Sequence, residues 1–444
     1  MPARGKSYIS HKLQHYLRWI GYNTRTFNVG SRRRKMNTDS GANFFDPKNK
    51  EKSQMRDTYA MDVLEDLIEF LKVDGDCAIH DATNSSKARR QMLLDRLNKE
   101  PNLHLQVLWV ESICNDKELI EENIKLKLQS PDYVGRNPED ALRDFRERLA
   151  MYERSYEQLD DTDNDKSYIK LINVGRQVIA SNIKGYLQSQ IVTYLMNYNV
   201  VPRCIWVSRH GESLAHVQGG ILGGDSELSK KGHLYAAALD KFFSIQKLEG
   251  CELWTSTLIR AKQTSRFLEE KVSKLVRLPA LNEIYAGACE GMTYEQIREQ
   301  MPDEWEARQK DKLRYRYPRG GESYMDLVGR LKPLIIELER KTETVFIISH
   351  QATLRTLISY WINCPQVKIP YVEVPFHTVL CLTPTPHGCS EVRYEIDLDS
   401  FQRGDAVFWT SKEIFYPTSS WHESDTREIE KSYKGMVEVS RPKY

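Results

Sequence analysis

With 444 residues, 40% of them hydrophobic, the chain holds apolar material for about two domains. A formal net charge of +2 offers no field broad enough to draw nucleic acid or a membrane surface, and no stretch reaches the roughly 18 apolar residues of a spanning helix, so neither partner is expected. Eight cysteines lie scattered without a C-x-x-C pair or metal-ligand spacing, the usage of a reducing compartment, which predicts a cytoplasmic protein.

The chain opens MPARGKS, the second half of a G-x-x-x-x-G-K-[ST] phosphate loop, with Met1, Pro2, Ala3 and Arg4 in the four variable positions. Gly5, Lys6 and Ser7 are therefore nucleotide-binding candidates, Lys6 facing the phosphates and Ser7 holding magnesium. The glycine and strand that normally precede these positions have no counterpart in the sequence, so the expectation is a P-loop domain lacking its first strand. The first 38 residues carry no Asp or Glu, as organellar transit peptides do, yet Ile9, Leu13, Tyr16, Leu17 and Ile20 recur at the spacing of a helix packed into a domain.

Strands are predicted over 26–29, 77–80, 104–110 and 168–174, alternating with helical stretches such as 62–71 and 141–152. That pattern specifies a parallel sheet covered by helices, whose ligands bind beyond the carboxyl ends of the strands, and Asp81 follows a strand in that position. Segment 197–202 is too short for a flexible linker and leads into a second α/β series with strands over 204–208, 253–255 and 345–348. From 391 the sequence turns polar and is predicted to be an extension, with 441–444 mobile. The domain boundaries expected are 1–199, 200–390 and 391–444.

In the second series, RHGES (209–213) directly follows a strand. This puts the His210 imidazole at a sheet's carboxyl edge beside the Arg209 guanidinium, and a neutral imidazole nitrogen can accept a phosphoryl group. An ordinary loop histidine is the alternative, and it is weakened by His350, which ends another apolar strand in SHQ. Arg260, in TSTLIRAKQTS, adds a fork for phosphate oxygens. Glu283, in LNEIYAG, is the candidate acid for the leaving alkoxide, since a carboxyl can keep its proton beside a phosphate dianion.

RHGES, the TSTLIRAKQT segment, LNEI and SHQ, in this order, resemble the histidine phosphatase superfamily, an α/β fold related to phosphoglycerate mutase. EGMTYEQI, ARQKDKLRYRYPRGGESYMDL and SHQATLR narrow the resemblance, over 202–386, to the bisphosphatase half of the bifunctional 6-phosphofructo-2-kinase/fructose-2,6-bisphosphatase family. The likeness implies that His210 is the nucleophile and Glu283 the acid. It places Arg209, Arg260 and His350 around the transferring phosphate, and Tyr294, Arg308, Lys312, Tyr324, Gln351 and Arg355 on the rest of the sugar bisphosphate. This chain departs from the pattern at His216, where the family has asparagine, and in QGGILGGDS, where an arginine gives way to glycine. A weakened phosphatase is the expectation.

The first half resembles the kinase half of the same family through PARGKS, FNVGSRRR, QMR, HDATNSSKARR, ESICND, SPDY and RLAMYERSYEQLD. By that resemblance Asp81 holds magnesium or takes the hydroxyl proton, and Arg33, Arg34, Arg56, Arg90 and Arg148 surround the acceptor's phosphate, joined by Thr83, Lys127 and Tyr152. The bland reading of the arginines is a solvated basic face. The implied protein uses ATP with Mg2+ to make fructose 2,6-bisphosphate from fructose 6-phosphate and hydrolyses it again, with kinase activity compromised. Two other readings stay open: a silent kinase-like module that senses nucleotide or sugar phosphate, and a phosphoglycerate mutase-like phosphotransferase. A homodimer is neither required nor excluded.

Overall fold

The structure, a computed structural model, describes residues 2–36, 41–128, 132–133, 135–163, 165–173, 175–199, 201, 203–385 and 388–417. Ser130 and Pro131 of the SPDY motif and the expected tail at 441–444 lie outside them. The chain forms two compact units, residues 1–200 and 201–444.

In the first unit the helix Lys6–Trp19 starts at Gly5, whose left-handed φ of 79° turns the chain into it. Ile9, Leu13, Tyr16 and Leu17 are buried as their spacing requires, and Tyr16 stacks on Tyr194 at 4.3 Å between ring centroids. β1 (Thr24–Asn28) pairs in parallel with β2 (Cys77–Asp81) through the helix Lys50–Val73. The Asn49 side chain caps that helix by accepting from the Lys52 amide, and Val63, Leu64, Leu67 and Ile68 pack with Phe27 and Leu93.

β3 (Leu108–Ile113) pairs in parallel with β4 (Ser167–Ile172), and β5 (Gln177–Ser181) returns antiparallel to β4. β3 starts later than predicted because His104 takes a left-handed φ of 45° after a short turn at Pro101–Leu103. β5, which no expectation included, follows Asn173 and Gly175, both at positive φ. β2 and β3 belong to separate sheets among the described residues. The phosphate-loop residues reach the ends of both: Ser112 Oγ on β3 donates to the Arg4 carbonyl, and the Lys6 ammonium senses Asp81 at the end of β2.

The second unit is built on a seven-stranded sheet. Its strands are β6 (Ile205–Arg209), β7 (Glu252–Thr255), β8 (Lys274–Arg277), β9 (Val345–Ser349), β10 (Thr378–Thr385), β11 (Gly388–Ile396) and β12 (Trp409–Pro417), in the order β12-β11-β10-β6-β9-β7-β8. β6, β9, β7 and β8 run parallel, while β10, β11 and β12 are joined antiparallel. Every residue of β6 and β9 is buried, as in strands covered on both faces. Trp206, Leu253, Phe346 and Ile348 meet Tyr235, Leu239, Phe242 and Phe243 of the helix Lys230–Ile245 in the core.

The expected polar extension from 391 is corrected here. Up to Pro417 it forms most of β11, the helix Leu398–Arg403 and β12, all inside this sheet and its core. β11 and β12 are half-exposed strands whose outward positions are polar, so their composition resembled that of a tail, while Ile396, Leu398 and Phe408 turn inward. Residues 418–444 of the expected extension lie outside the described residues.

Candidate active sites

β6 and β9 are neighbours in register, Arg209 opposite Ser349, so His210 and His350 leave the sheet side by side with ring centroids 4.9 Å apart. The contacts of His210 assign its tautomer. Nδ1–H donates to the Gly211 carbonyl at 2.6 Å, leaving the Nε2 lone pair to accept from Arg260 Nε–H at 3.2 Å. Burial, then the charges of Arg209 and Arg260, hold the His210 pKa well below its ordinary value, so the ring is neutral. A Cβ on Gly211 would meet the Gly232 carbonyl at 2.7 Å, so only glycine lets the following loop lie this close to the helix behind it.

His350 is wholly buried, with Nε2 2.6 Å from Ser256 Oγ. Ser256 Oγ also accepts the Leu258 amide, and His350 Nδ1 is a buried atom without a partner among the described residues. Glu283 Oε1 accepts from its neighbour Ile284 N at 2.9 Å and from Ala352 N, in the first turn of the helix Gln351–Trp361, at 3.1 Å.

A cavity of about 750 Å³ is lined by every predicted phosphatase residue except His350, which backs it. Capping boxes at Thr293 and Ser323 start the helices Tyr294–Gln300 and Tyr324–Arg340 at this cavity, so each presents a tyrosine from its first position. Arg308 donates to the hydroxyls of Tyr294 and Tyr317, both at 3.0 Å, and Arg355 donates to the Val372 carbonyl at 2.9 Å. Lys312 is lowered to about 7 by burial, then by Arg308 and Arg355. The glycine-rich segment forms the cavity's rim: Glu290 accepts from Gly224 N at 2.6 Å and Ala286 N at 2.8 Å, and Arg260 Nη1 donates to the Gly224 carbonyl at 2.8 Å. A Cβ on Gly223 would lie 1.9 Å from the Glu290 carboxylate and force it to shift, and the φ of 65° strains any other residue here.

In the first unit Asp81 is buried and accepts from Asn28 Nδ2 at 2.5 Å. Lys6 is lowered to about 8 by burial, which Asp81 opposes; Lys127 is among its further neighbours. Arg33 and Arg148 reach Asp132 at 2.5 and 3.5 Å, and Arg34 lies 3.9 Å from it. Burial works against the Asp132 charge, but these three cations hold its carboxyl below the ordinary range. The Arg148 guanidinium lies 3.8 Å over Phe45, whose ring also meets Tyr152, and Arg56 donates to the Phe44 carbonyl. Thr83 is half-buried in the loop after β2.

Residues 1–202 match the family described as 6-phosphofructo-2-kinase, and residues 205–397 match the histidine phosphatase superfamily, branch 1. 6-Phosphofructo-2-kinase/fructose-2,6-bisphosphatase 3 of Rattus norvegicus is 43% identical across 100% of this chain and 80% of that one. The chain belongs to the 6-phosphofructo-2-kinase/fructose-2,6-bisphosphatase family. The Gallus gallus member is 46% identical over 87% of this chain and 81% of its own, and 6-phosphofructo-2-kinase 1 of Saccharomyces cerevisiae is 42% identical over 91% of this chain and 52% of its own. The chain is thus an enzyme with both kinase and phosphatase domains, and ATP is a substrate of its kinase family. No helix among the described residues is long and apolar enough to cross a membrane.

Within this family frame one predicted residue is misplaced. The Arg90 guanidinium is buried and donates through Nη1 to the carbonyls of Asn84, Ser85 and Glu157, so it ties loops together instead of facing the arginine cluster. Arg89 pairs with Asp57 and lies near Arg56, whose pKa burial lowers and Arg89 lowers further. Successive residues of a helix point about 100° apart, and the pair ARR carries no sign of which arginine faces the site. Glu290, which opens EGMTYEQI, Ser256, inside TSTLIRAKQTS, and Phe376, in no motif, were missed as well.

Magnesium takes hard oxygen ligands and keeps several waters or phosphate oxygens. The Ser7 hydroxyl and the Asp81 carboxylate fit that donor set. No cluster of three or more His, Cys, Asp or Glu side chains suited to a metal exists among the described residues, and an ion held mainly by nucleotide phosphates needs none.

Proposed function

We propose that the first unit transfers the terminal phosphoryl group of ATP to the 2-hydroxyl of fructose 6-phosphate, and that the second hydrolyses the resulting fructose 2,6-bisphosphate through a phosphohistidine. One observation carries the phosphatase half: a buried neutral His210 whose Nε2 lone pair faces the cavity that Arg209 and Arg260 line. Nε2 attacks the 2-phosphorus, the N–P bond forms as the bond to the sugar oxygen breaks, and Glu283 gives that oxygen its proton. Arg209, Arg260 and His350 stabilise the charge spread over the phosphoryl oxygens. Water then attacks the phosphohistidine, Glu283 takes back a proton, and phosphate leaves.

In the kinase half Asp81 accepts the proton of the acceptor hydroxyl, Lys6 binds the nucleotide phosphates, and Arg33, Arg34, Arg56, Arg89 and Arg148 hold the 6-phosphate. Ser7 and Asp81 would hold the magnesium that comes with ATP, which would neutralise phosphate charge. A cytoplasmic setting belongs to the same reading, supported by eight cysteines without paired spacing.

The purified chain should form fructose 2,6-bisphosphate from ATP and fructose 6-phosphate, and should take up acid-labile label from substrate labelled at the 2-phosphate. ATP binding without product would leave the first unit as a sensing module. Glu283→Gln should bind substrate normally and slow turnover roughly 10²-fold, as loss of a general acid does. An unchanged rate would assign the proton to another donor.

Lys312 gives the phosphatase a pH dependence. Its lowered pKa of about 7 means that the free enzyme carries this charge below neutrality and loses it above. Binding the anionic sugar at pH 8 should therefore take up a proton, seen in calorimetry as a buffer-dependent heat, and kcat/KM should fall from pH 6.5 to 8.5. Lys312→Gln should bind about tenfold more weakly, as loss of a charge-assisted hydrogen bond does, and flatten that part of the profile.

A further inference from the structure

Arg209 is a buried cation whose guanidinium makes no hydrogen bond or ion pair to any described residue, and its Nε is a buried donor without a partner. Burial lowers its pKa to about 10, with Glu283 opposing and Arg355 and Arg260 adding to the fall. What it rests on is an aromatic face: its guanidinium carbon lies 3.6 Å from the centroid of the Phe376 ring. The same ring lies nearly perpendicular to the His216 ring, centroids 4.5 Å apart, and to the His210 ring at 5.9 Å.

The backbone around Phe376 is held in place by two strands. His377 takes a φ of 55°, uncommon for a residue with a side chain, and such conformations persist where the surroundings impose them. Its carbonyl accepts from Ile396 N of β11 at 2.8 Å, and Thr378 Oγ1 of β10 donates to the Phe376 carbonyl at 3.2 Å. The turn thus brings one ring against the two groups that β6 delivers to the phosphoryl site.

We propose that Phe376 is a positioning residue of the phosphatase: its ring face fixes the Arg209 guanidinium by a cation–π contact so that the N–H groups are presented to the transferring phosphate. The inference rests on the phosphatase reading above. A residue that only filled space could be exchanged for an aliphatic one without selective effect at the phosphate. An aromatic platform could not, because a desolvated cation would lose the ring face it rests on.

The test compares the full chain with Phe376→Leu, Phe376→Met, Phe376→Tyr, Arg209→Ala and the double variant Arg209→Ala/Phe376→Leu. It measures kcat and KM for fructose 2,6-bisphosphate, orthovanadate affinity by calorimetry, competitive inhibition by fructose 6-phosphate, and thermal unfolding. Phe376→Leu should lose about tenfold in kcat/KM and in orthovanadate affinity, the size expected of a buried cation–π contact. Inhibition by fructose 6-phosphate, held at the Arg308 end, should stay unchanged, and Phe376→Tyr should restore both losses. In the Arg209→Ala background the leucine change should do nothing further. Phe376→Met keeps the volume without the π face, and should give the same selective loss if the leucine variant melts early. An equal loss in the Arg209→Ala background, or unchanged orthovanadate affinity in both aliphatic variants, overturns the proposal. A wild-type chain that leaves fructose 2,6-bisphosphate intact overturns the functional reading instead, and the orthovanadate comparison still decides the role of Phe376.

Discussion

Replacing His210 with alanine should abolish both fructose 2,6-bisphosphate hydrolysis and the labelled phosphoenzyme, while kinase activity is unchanged. His210 is the neutral imidazole whose Nε2 lone pair faces the cavity; His350, behind it, engages Ser256 through Nε2 and is wholly buried. The loss should approach the full chemical acceleration, at least roughly 10⁴-fold as for other covalent nucleophiles. The measurement is turnover of 2-labelled substrate together with protein-bound label after a neutral quench. Label persisting on the alanine variant would sink the assignment.

The second large effect is expected at the other unit. Lys6→Met should reduce fructose 2,6-bisphosphate synthesis by roughly 10²-fold or more, as loss of a preorganised charge at a transferring phosphoryl group does, and leave hydrolysis intact. Lys6 is half-buried near Asp81, and desolvation has already lowered it to about 8. Its charge is therefore present at pH 7 and falls away in the free enzyme as pH rises through 8, so kcat/KM for ATP should decline above that point. Methionine keeps the length and removes the charge. A variant that retains both rate and ATP affinity would show that Lys6 does not meet the nucleotide.

Much of this was legible in the sequence because the chemistry sits at strand ends. RHGES and SHQ each follow an uninterrupted apolar run, and a parallel sheet brings such ends to one edge, so the pairing of His210 with His350 followed from topology. The arginines of the first unit were legible as a set, since FNVGSRRR and RLAMY mark the right turns of chain, but not one by one: Arg89 and Arg90 differ only in the direction that a helix gives them. β11 and β12 escaped because alternating strands are half polar and carry no motif. Glu290 and Phe376 escaped for a different reason. Each acts through a contact with a loop far away in the chain, and a single sequence holds no trace of that contact.

β6 stands in the middle of the seven-stranded sheet, hydrogen-bonded to β9 on one side and to β10 on the other. It is nevertheless the first strand of this sheet to emerge during synthesis, and both partners come from the far end of the unit. Pairings this distant close very long loops before they gain any contact, the regime of high contact order and slow folding. Until then a strand that the folded unit buries entirely waits with both edges open, the kind of surface that chaperones cover and that aggregates when they do not. The arrangement that sets two histidines side by side therefore makes the phosphatase half fold late and as one piece.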